Sequence, residues 1–226
     1  MSVVFQLAGK ANPGASDEIT LAFSQMEKGL RNEPGFERAL LLLNRLTLQT
    51  QFLFCFASFE QGLAFNRKFQ GGLVQRFARL LEAAGTLVTS LPDDAYEAAP
   101  LSLAQSGALQ AMATATDVPQ DGPVLLHFAG FSNSEELPRA RAVLKDSFLP
   151  LMRQCPGYRG LSTLVNHAQG QVQFLVTLDG FDAALPWVLA HAGQLLQPFD
   201  GAVRNPSLPF FFAVLADIVP AASTVH

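Results

Sequence analysis

The pattern of apolar residues in this chain occurs twice. The stretch Gln173–Phe181 has the sequence Gln-Phe-Leu-Val-Thr-Leu-Asp-Gly-Phe, which predicts a buried strand followed by a tight turn. The stretch 122 residues earlier, Gln51–Phe59, has the same pattern. With the 122-residue shift held constant and without gaps, fifteen positions between residues 16 and 77 are identical to their counterparts. An internal repeat of this length indicates two copies of one structural unit.

The order of elements in each copy is predicted from the local periodicity. Apolar strands open the copies at Val3–Ala8 and Val124–Gly130. Helical four-residue spacing follows in each copy, and a Pro-Gly pair then ends the helix. A strand, a polar hairpin, a second strand and a second helix come next. The resulting β-α-β-β-α-β order is that of a ferredoxin-like unit.

Two details of this assignment concern the ends of the elements. The stretch Ser132–Glu135 has the spacing of a capping box and marks a helix start. Pro138 suits the first turn of that helix, whereas Pro150 should kink or shorten it. The closing strands are predicted at Leu101–Met112 and Leu208–Leu215. Residues 78–100 have almost no counterpart in the second copy, and part of them, Arg79–Ala84, could extend the preceding helix.

The predicted fold class is therefore α+β, with two tandem ferredoxin-like repeats. The first repeat spans residues 1–113, a linker spans 114–123, and the second repeat spans 124–226. Each sheet has an apolar face to cover. We expect the halves to pack as one pseudo-symmetric α/β barrel, so that the monomer is its own internal pseudo-dimer. The alternative is two separate lobes that pair with other subunits, in which case the chain self-associates.

Composition narrows the class of protein. Hydrophobic residues make up 49% of the 226 positions and charged residues 15%, which is ample for a core. The sequence has no apolar run of about 18 residues and no signal-type N-terminus, so we expect a cytoplasmic protein without a membrane partner. Cys55 and Cys155 fall at different places in the repeat, so reduced, buried thiols are expected rather than a disulfide.

Charge and motifs exclude several functions. Residues 1–121 carry 9 basic and 12 acidic side chains, and residues 122–226 carry 6 and 7, so neither half favours nucleic acid. The chain has no Cys-x-x-Cys pair, His-Glu-x-x-His motif, phosphate loop or Gly-x-Ser-x-Gly elbow. Zinc, nucleotide and serine-hydrolase functions therefore have no support, and no metal site is predicted.

Two histidines are the candidates for chemistry. His191 follows Trp187 by four residues, which places both on one face of the second helix. An imidazole there could act as a general base or ligate haem iron, with Trp187 as a stacking wall. His127 lies in the first strand of the second copy, on the face of Leu125 and Ala129, where it could hydrogen-bond a ligand. The alternative for each is a structural histidine whose ring nitrogens are satisfied locally.

The other polar matches have simpler explanations. Asn44 and Asn166 suit hairpin turns because asparagine tolerates the left-handed conformation. Gln51 and Gln173 are expected to serve the base of the hairpin. The chain has 19 phenylalanines. Phe-rich strands are typical of a core, but they could also line an apolar pocket for a flat aromatic ligand.

The pattern resembles the dimeric α/β-barrel superfamily, and within it the antibiotic-biosynthesis-monooxygenase-like domains. The similarity rests on the helix, the Pro-Gly-aromatic turn at Phe36 and Tyr158, the strand–hairpin–strand, and the helix that starts near Phe181 and carries an aromatic residue and a histidine. The first copy has Phe69 where His191 stands, and Phe5 is taken as the counterpart of His127. The first copy is therefore expected to have lost the site.

The resemblance implies three possible functions. The first is a cofactor-independent monooxygenase, whose pocket in the second repeat would hold an aromatic small molecule. His191 and His127 would be its catalytic residues, and its binding residues would be Trp187, Phe128, Phe181 and Phe211. The second is haem binding through His191. The third is a non-catalytic binding or assembly module without an active site.

Overall fold

The computed structural model describes residues 2–77, 79–92, 122–205, 207 and 210–220. These residues form two compact units. The first unit contains residues up to Leu91 together with the chain from Val214 onward, and the second unit contains residues 122–213. The prediction of an α+β chain with two ferredoxin-like units is confirmed, because each unit has the expected order of strands and helices.

The first unit follows the β-α-β-β-α-β order with its first helix broken in two. Its elements are β1 (Val3–Ala11), α1 (Ser16–Ser24), α2 (Glu27–Arg31), β2 (Phe36–Leu43), β3 (Gln49–Phe56), α3 (Phe59–Phe77) and β4 (Leu81–Pro92). The strands pair antiparallel in the order β4-β1-β3-β2. This is the ferredoxin-like order, with the first and third strands in the centre.

The second unit repeats this arrangement. Its elements are β5 (Val124–Phe131), α4 (Leu137–Val143), a π-helical turn (Leu144–Phe148), α5 (Leu149–Met152), β6 (Tyr158–Asn166), β7 (Gln171–Leu178), α6 (Phe181–Leu196), a 3₁₀ turn (Gln197–Phe199) and β8 (Phe210–Ile218). The strand order is β8-β5-β7-β6, again antiparallel. Only the first residues of β8 belong to the second unit, since the unit ends at Ala213.

The fourth strand of the first unit is not where the sequence placed it. The predicted helix extension Arg79–Ala84 is wrong, because α3 ends at Phe77 and β4 begins at Leu81. β4 pairs antiparallel with β1, and so it is the closing strand of the unit. Its run Leu87–Thr89 has the apolar and β-branched residues that favour a strand. The predicted strand Leu101–Met112 lies outside the described residues.

The 122-residue shift holds for β2, β3 and α3 but fails by one residue in the first strand. Phe5 pairs with Phe54, and the residue that pairs with Val176, the counterpart of Phe54, is Leu126. The structural counterpart of Phe5 is therefore Leu126 and not His127. His127 occupies the place of Gln6, a buried polar residue.

Two helix boundaries refine the predictions from the sequence. The capping box lies one residue later than Ser132–Glu135. Asn133 Oδ1 accepts the N–H of Glu136 at 2.8 Å, and the Glu136 carboxylate accepts the N–H of Asn133 at 3.0 Å. Pro138 lies in the first turn of α4 as expected. Pro150 falls in the first turn of α5, directly after the π-helical turn, so the helix is interrupted where the proline lacks a donor.

The hairpin asparagines act through their side chains rather than through a left-handed backbone. Asn44 Oδ1 accepts the N–H groups of Leu46 and Thr47 at 3.0 and 2.9 Å. The left-handed residue of the first hairpin is Leu48, with φ of 59°, and its counterpart 122 residues later is Gly170, with φ of 62°. The prediction of a turn was confirmed, but the conformation assigned to Asn44 was wrong.

Candidate functional site

His191 is held by its own helix in one orientation. Its Nδ1 lies 2.8 Å from the backbone oxygen of Trp187, one turn earlier in α6. The imidazole stacks on the indole of Trp187, with ring centroids 4.2 Å apart and planes 17° apart. Both side chains are half-buried. Because a carbonyl oxygen only accepts hydrogen bonds, Nδ1 carries the proton, and Nε2 keeps a lone pair.

His127 lies in a very different environment. It is 8% exposed, and its Nε2 lies 3.1 Å from the side-chain oxygen of Gln173. The imidazole contacts the phenyl ring of Phe212 edge-on, with ring centroids 5.8 Å apart. Burial lowers the pKa of His127 to about 4, although the hydrogen bond with Gln173 opposes this shift. At neutral pH this imidazole is uncharged and donates to Gln173 through Nε2.

The structure does not bring the two histidines to one pocket. Leu126 and Phe128 belong to the core that packs under α4 and α6. His127 stands between them in β5, so it points to the opposite face of the sheet. His191 lies on α6, on the helix side. The expectation that both histidines line one pocket is therefore wrong, because a sheet lies between them.

The four predicted binding residues all lie on the helix side, but only some remain accessible. Phe128 is buried at 4% exposure and packs edge-on against Phe148, with centroids 5.2 Å apart. Phe181 and Phe211 are half-buried and contact each other edge-on at 5.0 Å. Trp187 contacts His191. The accessible part of the predicted set is thus Trp187 with His191 and, separately, the pair of Phe181 and Phe211.

His191 has a suitable donor atom for haem iron, but the space beside it is too small for a haem group. The lone pair on His191 Nε2 could ligate haem iron. A haem between α6 and the sheet would also need a wide apolar slot. That layer is filled by a continuous buried cluster in which Phe148 contacts Phe199 at 5.6 Å and Phe174 at 6.2 Å. The described residues therefore do not provide a haem pocket beside His191.

A cavity does occur, but in the first unit. It has a volume of about 310 Å³ and lies between the α1–α2 segment and α3. Its lining residues are Gln25, Met26, Gly29, Leu30, Phe69, Gly72 and Arg76. The sequence patterns did not predict this cavity. The signal was present in the 122-residue comparison, where Gly29 stands opposite Leu151.

A buried ion pair was also missed. Arg38 donates to both carboxylate oxygens of Asp217, at 2.8 and 2.5 Å, and the two side chains are 8% and 4% exposed. Cys55 lies opposite Arg38 in the β2–β3 ladder. Burial raises the pKa of the Cys55 thiol to about 12. Cys55 and Cys155 are free and buried, as the sequence predicted, so the thiols are poor nucleophiles.

Comparison with solved structures finds the same fold in several other proteins. A candidate monooxygenase from Fusobacterium nucleatum superposes with a TM-score of 0.65 at 6% identity, covering 96% of this chain and 94% of the other. A candidate monooxygenase from Lactobacillus acidophilus gives 0.60 at 12% identity, covering 98% and 100%. An anthrone oxidase-like protein gives 0.61 at 13% identity, covering 98% and 96%. The chain shares their fold.

At such low identity these likenesses show the fold alone. No protein-family model matches the chain, and no curated protein matches its sequence. Among the helices of the described residues, none is both long and apolar enough to cross a membrane.

Proposed function

We propose that the second unit oxidises an electron-rich aromatic small molecule, with His191 as the general base. The observation that supports this most is the hydrogen bond between His191 Nδ1 and the Trp187 carbonyl oxygen. It fixes the tautomer and turns the basic Nε2 away from the helix backbone. No other hydrogen bond of His191 occurs within the described part of the chain. Nε2 is therefore available to a substrate.

Trp187 supports the same proposal by its position. Its indole packs partly against the core and stacks on His191, so the imidazole cannot rotate freely. A half-buried aromatic surface beside a base suits a flat phenolic substrate, which would stack while its hydroxyl reaches Nε2. Trp187 is thus a positioning residue for His191 and a contact for the substrate.

The chemistry needs a base and dioxygen. The substrate reacts as its phenolic tautomer, in which one hydrogen of the ring methylene has moved to the carbonyl oxygen. His191 Nε2 takes this hydroxyl proton, and the resulting phenolate raises the electron density at the former methylene carbon. Dioxygen accepts the electrons, and a ring methylene is converted to a carbonyl with release of one water. One dioxygen supplies both the carbonyl oxygen and the water oxygen, so no external reductant is required. We propose that no cofactor takes part.

His127 has no part in this proposal. Its imidazole lies on the other face of the sheet, and its Nε2 is engaged with Gln173. A group with a pKa of about 4 is also a weak base near neutral pH. The two-histidine site expected from the sequence is therefore reduced to His191.

The test is oxygen consumption with anthrone as the probe substrate. The wild-type chain should accelerate it, and His191→Ala should lower kcat about 10²–10⁴-fold, the usual contribution of a positioned base. His167→Ala is the matched control, because His167 is exposed in the β6–β7 hairpin. Added imidazole should restore part of the rate. No acceleration by the wild-type chain, or an unchanged rate for His191→Ala, would contradict the proposal.

A further inference from the structure

The cavity of the first unit is bounded by two glycines on facing helices. Gly29 lies in α2 and Gly72 in α3, and a Cβ built on either would meet no atom within 4 Å. Glycine is unfavourable inside a helix by about 0.5–1 kcal/mol relative to alanine. Neither glycine is required by close packing or by a left-handed backbone, since neither has a positive φ. What the two glycines do provide is the open space between the helices.

The second unit shows what a filled version of this place looks like. The counterparts of Met26 and Gly29, 122 residues later, are Phe148 and Leu151. Phe148 is fully buried, and Leu151 packs against the core of the second unit. The same fold can therefore close this space with larger side chains. The cavity is a difference between the units and not a requirement of the fold.

Among the described residues that line the cavity, most of the side chains are apolar and the one charged side chain is positive. Met26 and Leu30 are buried at 9% and 2% exposure, and Phe69 is half-buried beside them. Arg76 is exposed, and it makes no ion pair or hydrogen bond with any described residue. In contrast, nearby Lys68 is paired with Glu33 at 2.6 Å. The described lining thus combines apolar side chains with one guanidinium that has no partner among the described residues.

We propose that this cavity is a binding site for an amphipathic organic anion, whose apolar part lies on Met26, Leu30 and Phe69 and whose carboxylate, sulfonate or phenolate meets Arg76. A volume of about 310 Å³ lies at the lower end of small-molecule sites. The described lining residues include no histidine, cysteine or carboxylate, and the proposal is therefore one of binding. It is independent of the function proposed for His191.

The test uses two naphthalene probes of similar shape. One is the anion 8-anilinonaphthalene-1-sulfonate, and the other is neutral N-phenyl-1-naphthylamine. Calorimetric titration of the full chain should show saturable binding of both. Arg76→Gln should lower the affinity for the anionic probe at least about tenfold, as expected for the loss of a hydrogen bond to a charged group. The affinity for the neutral probe should change little. Arg67→Gln, outside the cavity on the same helix, is the control.

Filling the cavity provides the second arm. Gly29→Leu introduces the side chain that the second unit carries at Leu151, and it should abolish binding of both probes. Gly72→Leu fills the cavity from the other helix and serves if the first variant does not fold. Gly193→Leu is the matched control, because a Cβ on that helical glycine also meets nothing within 4 Å.

Three outcomes would overturn the proposal. One is a wild-type chain that binds neither probe. Another is unchanged affinity for both probes in Gly29→Leu and in Gly72→Leu, each shown to be folded by circular dichroism. The third is an equal decrease in affinity for both probes in Arg76→Gln, which would mean that the guanidinium does not select an anion.

Discussion

The two histidines show how one residue type takes opposite roles within one unit. His191 stands on a half-buried helix face with Nε2 available, whereas His127 is sealed on the other face of the sheet. Strand alternation correctly predicted that His127 shares a face with Leu125 and opposes Leu126. The sequence could not show which face the helices cover, nor that Gln173 would partner the imidazole rather than serve the hairpin.

The buried state of His127 predicts a pH dependence of stability. Its pKa is lowered from 6.5 to about 4 in the folded chain, so between these values the unfolded chain binds more protons. The free energy of unfolding should therefore fall as the pH is lowered from 6.5 to 4, by up to ~3 kcal/mol for this group. Urea denaturation across this range measures the change.

The control for this prediction is His127→Gln, which introduces the residue found at the equivalent Gln6. This variant should lose the part of the pH dependence that comes from the histidine while keeping a polar side chain beside Gln173. If the wild-type chain and His127→Gln show the same slope of stability against pH, the buried neutral state of His127 is wrong.

At the scale of the elements, the one-residue slip of the first strand has a packing consequence. Phe5 contacts α3 at Gly62, where a Cβ would overlap the phenyl ring. In the second unit the equivalent positions are Leu126 and Ala184, both buried. A large strand residue over glycine has been exchanged for a smaller one over alanine. The sequence repeat did not reveal this exchange, because its gapless match begins only at residue 16.

This exchange predicts the effect of a methyl group on α3. Gly62→Ala should lower the free energy of unfolding by about 1–3 kcal/mol, the usual cost of overpacking a filled core. The double variant Phe5→Leu with Gly62→Ala, which reproduces the pair of the second unit, should recover part of the loss. Urea denaturation measures both.

The control in the same helix is Gly72→Ala, whose methyl group meets empty space. It should raise the stability by up to about 1 kcal/mol, since alanine is the better helix former. A Gly62→Ala variant as stable as Gly72→Ala would show that Phe5 does not pack against α3 as described.

At the scale of the whole molecule, the duplicated units have diverged in different directions. The first unit has the cavity with Arg76 and has Phe69 at the position of His191, whereas the second unit has filled that space and carries the histidine. The sequence predicted the repeat, the order of elements and the position of His191 beside Trp187. It did not predict the cavity or the fourth strand of the first unit, because both depend on how non-identical residues pack.

The central claim is that His191, and not His127, presents a basic Nε2. Two-bond ¹H–¹⁵N correlation spectra of the ¹⁵N-labelled full chain report the tautomer of each imidazole, and His→Gln variants assign the signals. We expect the Nδ1–H tautomer for the neutral imidazole of His191. For His127 we expect the Nε2–H tautomer, and this imidazole should still be neutral at a pH midway between 4 and 6.5. An Nε2–H tautomer at His191, or a His127 that is protonated at that pH, would contradict it.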